Sequence, residues 1–275
     1  MAKNIPTVPT HDEAYLPFWE HLEVLRWHVI RSLVAILAVA TVAFLSKEFV
    51  FHTLILGPAR PDFWTYRMLL RLGVWIDTPA LYIQQLPLTL QSRQLSGQFS
   101  MHMLVSLVLG LIGAFPYVFW ELWCFVKPGL PLLKRGVIQN IVLTVSCLFM
   151  LGILFGYYII TPLVIHFLAN YQVDPSIANT FDLVSYVSTI ISLALSCACM
   201  FQLPIIVYFL ARVGIVTPHS MRAYRKHAIV GILILAAIIT PPDVMSQLLI
   251  AVSLMLLYEG SMLIAQFIAN RERAP

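Results

Sequence analysis

Long stretches of this chain are apolar on every face. Residues 33–45 and 141–160 hold almost no polar position, where a half-buried strand would alternate and a surface helix would keep one polar side. Sequence of this kind reads as helix dissolved in lipid, since about 20 apolar residues span about 30 Å of hydrocarbon. Six spans are predicted, at residues 29–45, 101–123, 137–160, 184–210, 228–239 and 245–268. The fifth is short: an apolar run of about 12 residues covers about 18 Å, so it must thin the bilayer, recruit flanking residues or sit behind its neighbours. A β-barrel is excluded, because its strands would alternate apolar and polar positions over about 10 residues.

The one sizeable polar connection, residues 47–100, is rich in Pro, Trp and Tyr and carries breakers at Gly57-Pro58, Arg60-Pro61 and Leu86-Pro87. It is expected to cap the ends of the spans. Within it, residues 63–75 form an amphipathic segment suited to a membrane surface, with Trp64, Tyr66 and Trp75 at headgroup depth and Arg67 and Arg71 one turn apart. No repeat or second domain interrupts the chain, which reads as one membrane domain over residues 1–275.

Composition agrees: 60% of residues are hydrophobic and 11% charged, with a mean hydropathy of +0.85. Of the 17 basic residues, twelve fall on one side of the predicted spans. They are Lys3, Arg26 and Arg31, then Lys127, Lys134 and Arg135, then Arg212, Arg222, Arg225 and Lys226, and finally Arg271 and Arg273. The positive-inside rule then places both termini in the cytoplasm. This bias also accounts for the net charge of +4, so no nucleic-acid partner is implied. The first 28 residues carry Asp12, Glu13, Glu20 and Glu23, unlike the basic start of a cleavable signal peptide. Cys124, Cys147, Cys197 and Cys199 lie in or beside spans and are expected to pack as small apolar groups. No metal or cofactor is expected; His21 and His28, the one histidine pair that shares a helix face, read as interfacial.

Several strings then converge. Phe18-Trp-Glu-His-Leu-Glu-Val-Leu-Arg26, Trp123-Cys-Phe-Val-Lys-Pro-Gly-Leu130, Phe201-Gln-Leu-Pro204, Gly214-Ile-Val-Thr217, Thr240-Pro-Pro-Asp-Val244 and Leu257-Tyr-Glu259 occur in this order along nearly the whole chain. Together they resemble TatC, the six-span receptor subunit of the twin-arginine protein translocase. The resemblance implies a glove-shaped, all-α scaffold in the inner membrane, without a pore of its own. It implies binding of twin-arginine signal peptides at the cytoplasmic face, self-association in a receptor complex, and recruitment of TatA-type and TatB-type single-span partners. Folded cargo would then cross on the proton-motive force.

The chain departs from the family pattern at its acidic positions. Aligned on His21, Leu22, Leu25 and Arg26, the family's signal-binding Glu falls at Val24. Glu23 points about 100° away on a helix, whereas Glu20 is one turn back and about 40° off, so Glu20 is the expected substitute and Glu23 an i, i+3 partner of Arg26. After Pro128-Gly129-Leu130 the family carries Glu before its Arg; here Lys134 precedes Arg135, and Glu121 is the carboxylate left to serve the loop, or else a snorkelling interfacial residue. Phe125, Pro128 and Gly129 match. Gln202 replaces Glu before Pro204, where it is expected to make an interhelical hydrogen bond beside a proline notch. Asp243 can cap the last helix or, with Gln247 one turn on, face a partner or the peptide. Tyr258 and Glu259 are placed toward the inner leaflet, Glu259 paired with basic loop residues.

An enzyme is disfavoured: no His-Glu-x-x-His or Gly-x-Ser-x-Gly string occurs, and Asp243 and Glu259 stand about 24 Å apart on a helix. A divergent TatC-like protein with altered signal preference, or a secondary transporter, remains the alternative reading.

Overall fold

The computed structural model describes residues 18–76, 88–126, 135–174, 179–212, 215, 217–239 and 244–273, apart from the side chains at several helix ends. Helix α1 runs Phe18–Leu45 and is followed by the short α2, Lys47–Phe49, a π-helical turn Val50–Ile55 and a 3-10 turn Gly57–Ala59. The amphipathic helix α3 covers Trp64–Ile76, and strand β1 covers Thr89–Gln91. Helices α4, Gly97–Val126, and α5, Arg135–Phe155, come next; α5 continues through a π turn Gly156–Ile160 into α6, Thr161–Asn170. Strand β2, Thr180–Asp182, leads into α7, Leu183–Met200, and α8, Leu203–Arg212. The chain ends with α9, Pro218–Ala223, α10, Arg225–Ile239, and α11, Val244–Arg273.

Four helical stretches are long and apolar enough to cross a membrane: Glu23–Leu45, Gly97–Val126, Ile141–Asn170 and Leu183–Ala211; Gln247–Leu263 is a shorter apolar helix. These coincide with the first four and the last of the expected spans, and α10 occupies the place of the short fifth. Helix α1 extends about three turns ahead of the first expected span, through the residues from Glu20 to Arg26 already read as helical. The third span continues past Pro162, where it was expected to stop. There the π turn widens the helix just before a proline that cannot donate to the carbonyl four residues back. That carbonyl, of Tyr158, is taken instead by the Thr65 hydroxyl of α3. Finally, the fold is not purely helical: β1 and β2 pair in parallel, Thr89 opposite Thr180 and Gln91 opposite Asp182, tying the two connections at one end of the bundle.

The core has two main parts, with a smaller cluster of Met221, Met262 and Ala265 joining α9 to α11. One joins Ile160, Val164, Leu193, Cys197, Ile232, Ala236, Ile250 and Leu254, so that α10 and α11 close on the third and fourth spans. The other joins Val50, Ile55, Met101, Val105, Tyr186, Val187 and Ile190 under the cap. Without a hydrophobic drive between helices in lipid, small residues let backbones approach. A Cβ on Gly110 would stand 2.7 Å from both Ala40 Cβ and the Ile36 carbonyl, so only Gly fits the α1–α4 seam, and Gly152 meets the Ala198 Cα with a Cβ at 2.6 Å.

The irregular cap leaves backbone carbonyls that apolar surroundings cannot satisfy, and tyrosines satisfy them. Tyr157 donates to the Leu54 carbonyl at 2.6 Å, Tyr186 to Ile55 at 2.9 Å, and Tyr66 to both Pro58 and Pro162 at 3.0 Å. Tyr66 therefore does not face the membrane surface with Trp64 and Trp75 but packs inside the protein: it is 1% exposed, and burial pushes its hydroxyl well above the ordinary phenol range.

Candidate peptide-binding site

The amino-terminal turns of α1 lie beside the carboxy-terminal turns of α4. On α1 the positions His28, Ser32, Ile36 and Ala40 recur at the spacing that keeps one face toward a neighbour, while Glu23, Val24, Arg26 and Trp27 point outward. Arg26 does not pair with Glu23, the i, i+3 contact expected from the sequence; its guanidinium lies 5.6 Å from the Trp27 ring centroid. The backbone of Glu20 is helical, one turn before the outward-facing Val24.

Across the seam, Glu121 is 6% exposed. One carboxylate oxygen is bonded to His28 Nδ1 and the other accepts from the Tyr117 hydroxyl at 2.7 Å. Glu121 thus neither snorkels nor presents an open carboxylate: its acceptors are engaged within the fold. The His28 ring also meets the Phe125 ring edge-on, with centroids 6.4 Å apart. Beside them opens a cavity of about 270 Å³ lined by Leu25, Val29, Leu33, Val118, Leu122 and Phe125, apolar except where His28 and Ser32 touch it. The arrangement can receive an apolar side chain in the groove and a cation at the outward face of α1. Pro128, Gly129 and Lys134 lie outside the described residues, and Arg135 opens α5.

The other sequence-predicted residues gather elsewhere. At the break between α7 and α8, set by Pro204, the Gln202 amide donates weakly to the Val145 and Ala198 carbonyls at 3.5 and 3.4 Å. Its Oε1 is buried without a partner among the described residues, as are Ser146 Oγ and Trp123 Nε1. Asp243 lies outside the described residues. Gln247 donates to the Leu233 carbonyl at 3.3 Å, linking α11 to α10. Tyr258 donates to the Met221 carbonyl at 2.7 Å, and Glu259 pairs with Arg225, a basic residue as expected but the first of α10 and not in a loop. Thr217, closing the Gly214 string, caps α9 through a reciprocal bond with Ser220.

Sequence reasoning missed His28 and Tyr117. The available signal is a carboxylate within a predicted span, which demands a buried partner; His28, seven residues after His21, carries no local sign of the α4 partner it meets.

Several helices of membrane-crossing length, holding polar groups at their contacts, define a multi-pass membrane protein. Residues 20–252 match the TatC family, described as Sec-independent protein translocase protein. Over 259 residues the chain is 37% identical to the TatC of Blattabacterium sp. subsp. Periplaneta americana, covering 94% of this chain and 97% of that one. The Aquifex aeolicus TatC is 30% identical over 259 residues, covering 94% and 98%. A crystal structure of the twin-arginine translocase receptor TatC superimposes with a TM-score of 0.70 at 28% identity, covering 89% of this chain and 99% of that chain. The chain belongs to the TatC family of Sec-independent protein translocase proteins, and its function is protein transport.

Proposed function

We propose that this protein is the signal-peptide receptor and scaffold of a twin-arginine translocase, with six spans, both termini in the cytoplasm and its place in the inner membrane. Signal peptides of folded cargo bind at the cytoplasmic face, and TatA-type and TatB-type single-span proteins are recruited for export on the proton-motive force. The observation that carries this reading is the outward face of the first α1 turns set directly beside the apolar groove that ends at Phe125. Glu20 supplies the carboxylate for the arginine pair, since Arg guanidinium is held best by bidentate carboxylate contact. Glu121 contributes only when His28 is displaced from it, and Glu23, Arg26, Pro128, Lys134 and Arg135 shape the surrounding surface. Gln202, Pro204, Asp243, Gln247, Tyr258 and Glu259 shape the faces open to partner helices.

The test is photocrosslinking from positions 20 and 125 in membranes to a signal peptide bearing Arg-Arg, against the same peptide bearing Lys-Lys. Strong crosslinks that require Arg-Arg are expected. Equal crosslinking of both peptides would mean a translocase scaffold with a different signal preference, and none at either position would remove the site.

A further inference from the structure

Helix α3 has one face fixed and one face open. Tyr66 and Thr65 anchor it to the carbonyls of Pro58, Pro162 and Tyr158, and Gly73 is buried with them. On the open side Trp64 and Trp75 are 52% and 84% exposed, and Arg67 and Arg71 are exposed one turn apart. Neither arginine has an acidic partner among the described residues.

The depth of this face follows from its side chains. Exposed Trp64 and Trp75 beside exposed Arg67 and Arg71 make the aromatic and basic mixture that partitions to the boundary between hydrocarbon and headgroups.

Two cavities meet there at Trp64. One, of about 220 Å³, is lined by Trp64, Arg67, Met68 and Arg71. The other, of about 550 Å³, is an apolar groove that runs from Trp64 past Tyr158 along Leu151, Leu154, Ile159 and Phe201. Trp64 is held between them by an edge-on contact with Tyr158, centroids 5.9 Å apart.

We propose that this is a binding site for an anionic phospholipid, with the headgroup phosphate between Arg67 and Arg71 and an acyl chain in the groove. Two guanidinium groups one turn apart match the spread of phosphate oxygens and hold them by charge-assisted bonds. A basic pocket at headgroup depth is the chemistry that selects anionic over zwitterionic lipid. The adjoining groove supplies the apolar contact that free phosphate cannot use.

The test is lipid titration of the delipidated full-length protein in detergent, read by native mass spectrometry, with phosphatidylglycerol, phosphatidylcholine and inorganic phosphate as probes. Phosphatidylglycerol is expected to bind with preference over phosphatidylcholine, and Arg67→Gln with Arg71→Gln to weaken it about thirtyfold. Leu151→Trp, which fills the groove, should weaken both lipids. Arg222→Gln with Lys226→Gln, which removes two exposed charges elsewhere, should leave binding within about twofold. Equal binding by wild type and the α3 double variant would overturn the site, as would equal loss in the Arg222 and Lys226 variant. Inorganic phosphate competing as well as the lipid would overturn the lipid assignment. Unchanged thermal unfolding of each variant confirms that a folded protein was tested.

Discussion

Among the described residues, two acid–base pairs join neighbouring helices, and they differ most in how far the fold encloses them. His28 and Glu121 link α1 to α4 with side chains 18% and 8% exposed; Arg225 and Glu259 link α10 to α11 with side chains 51% and 32% exposed. The first is embedded, supported by Tyr117, and sits on the seam where Gly110 lets two backbones touch. The second is open on the outside of the helix pair, where its surroundings enclose neither partner. Similar chemistry therefore fixes a helix in one place and only decorates it in the other. Removing one member of a buried pair strands the other, whereas a surface pair is worth little.

The largest effect that would break this contrast is expected from His28→Leu. It leaves the Glu121 carboxylate buried without its imidazole donor and should destabilise the detergent-solubilised protein by about 3 kcal/mol. Adding Glu121→Leu removes the stranded group and should recover most of that loss in denaturant unfolding. A double variant as unstable as the sum of the two singles would show that the groups are not coupled.

Gly110→Ala comes next, at about 1–3 kcal/mol, because the added Cβ meets backbone rather than a flexible tip. Gly260→Ala, which meets nothing within 4 Å, is its control and should be neutral or stabilising by up to about 1 kcal/mol. Tyr66→Phe removes the donor shared by two buried carbonyls and should cost about 1–2 kcal/mol in the same assay. The smallest effect is Glu259→Gln. It should cost less than about 1 kcal/mol and shrink further as salt rises, and a larger, salt-independent loss would erase the distinction between the two pairs.

What was legible in the sequence was what hydropathy records. The span positions were readable because lipid imposes a uniform apolar pattern, and α3 was readable because its arginines recur at a helical interval. What was hidden depends on contacts between distant parts of the chain. Pro162 looks like a helix end until the Thr65 hydroxyl, brought in by α3, takes the carbonyl that the proline leaves open. Tyr66 looks interfacial until the carbonyls of Pro58 and Pro162 share its hydroxyl. Glu121 looks available until α1 sets His28 against it, a partner 93 residues away in sequence. The face argument that singles out Glu20 needed only helix geometry, and the helical backbone at residue 20 supplies its premise.

The central claim is the proposal that Glu20, and not the engaged Glu121, supplies the carboxylate for a signal peptide. It is tested most directly by the affinity of the purified protein for an Arg-Arg signal peptide, comparing wild type with Glu20→Gln and Glu121→Gln. The account predicts that Glu20→Gln weakens binding by about tenfold or more, the worth of a charge-assisted contact, while Glu121→Gln stays within about threefold. The reverse order, with Glu121→Gln abolishing binding and Glu20→Gln leaving it intact, would contradict it.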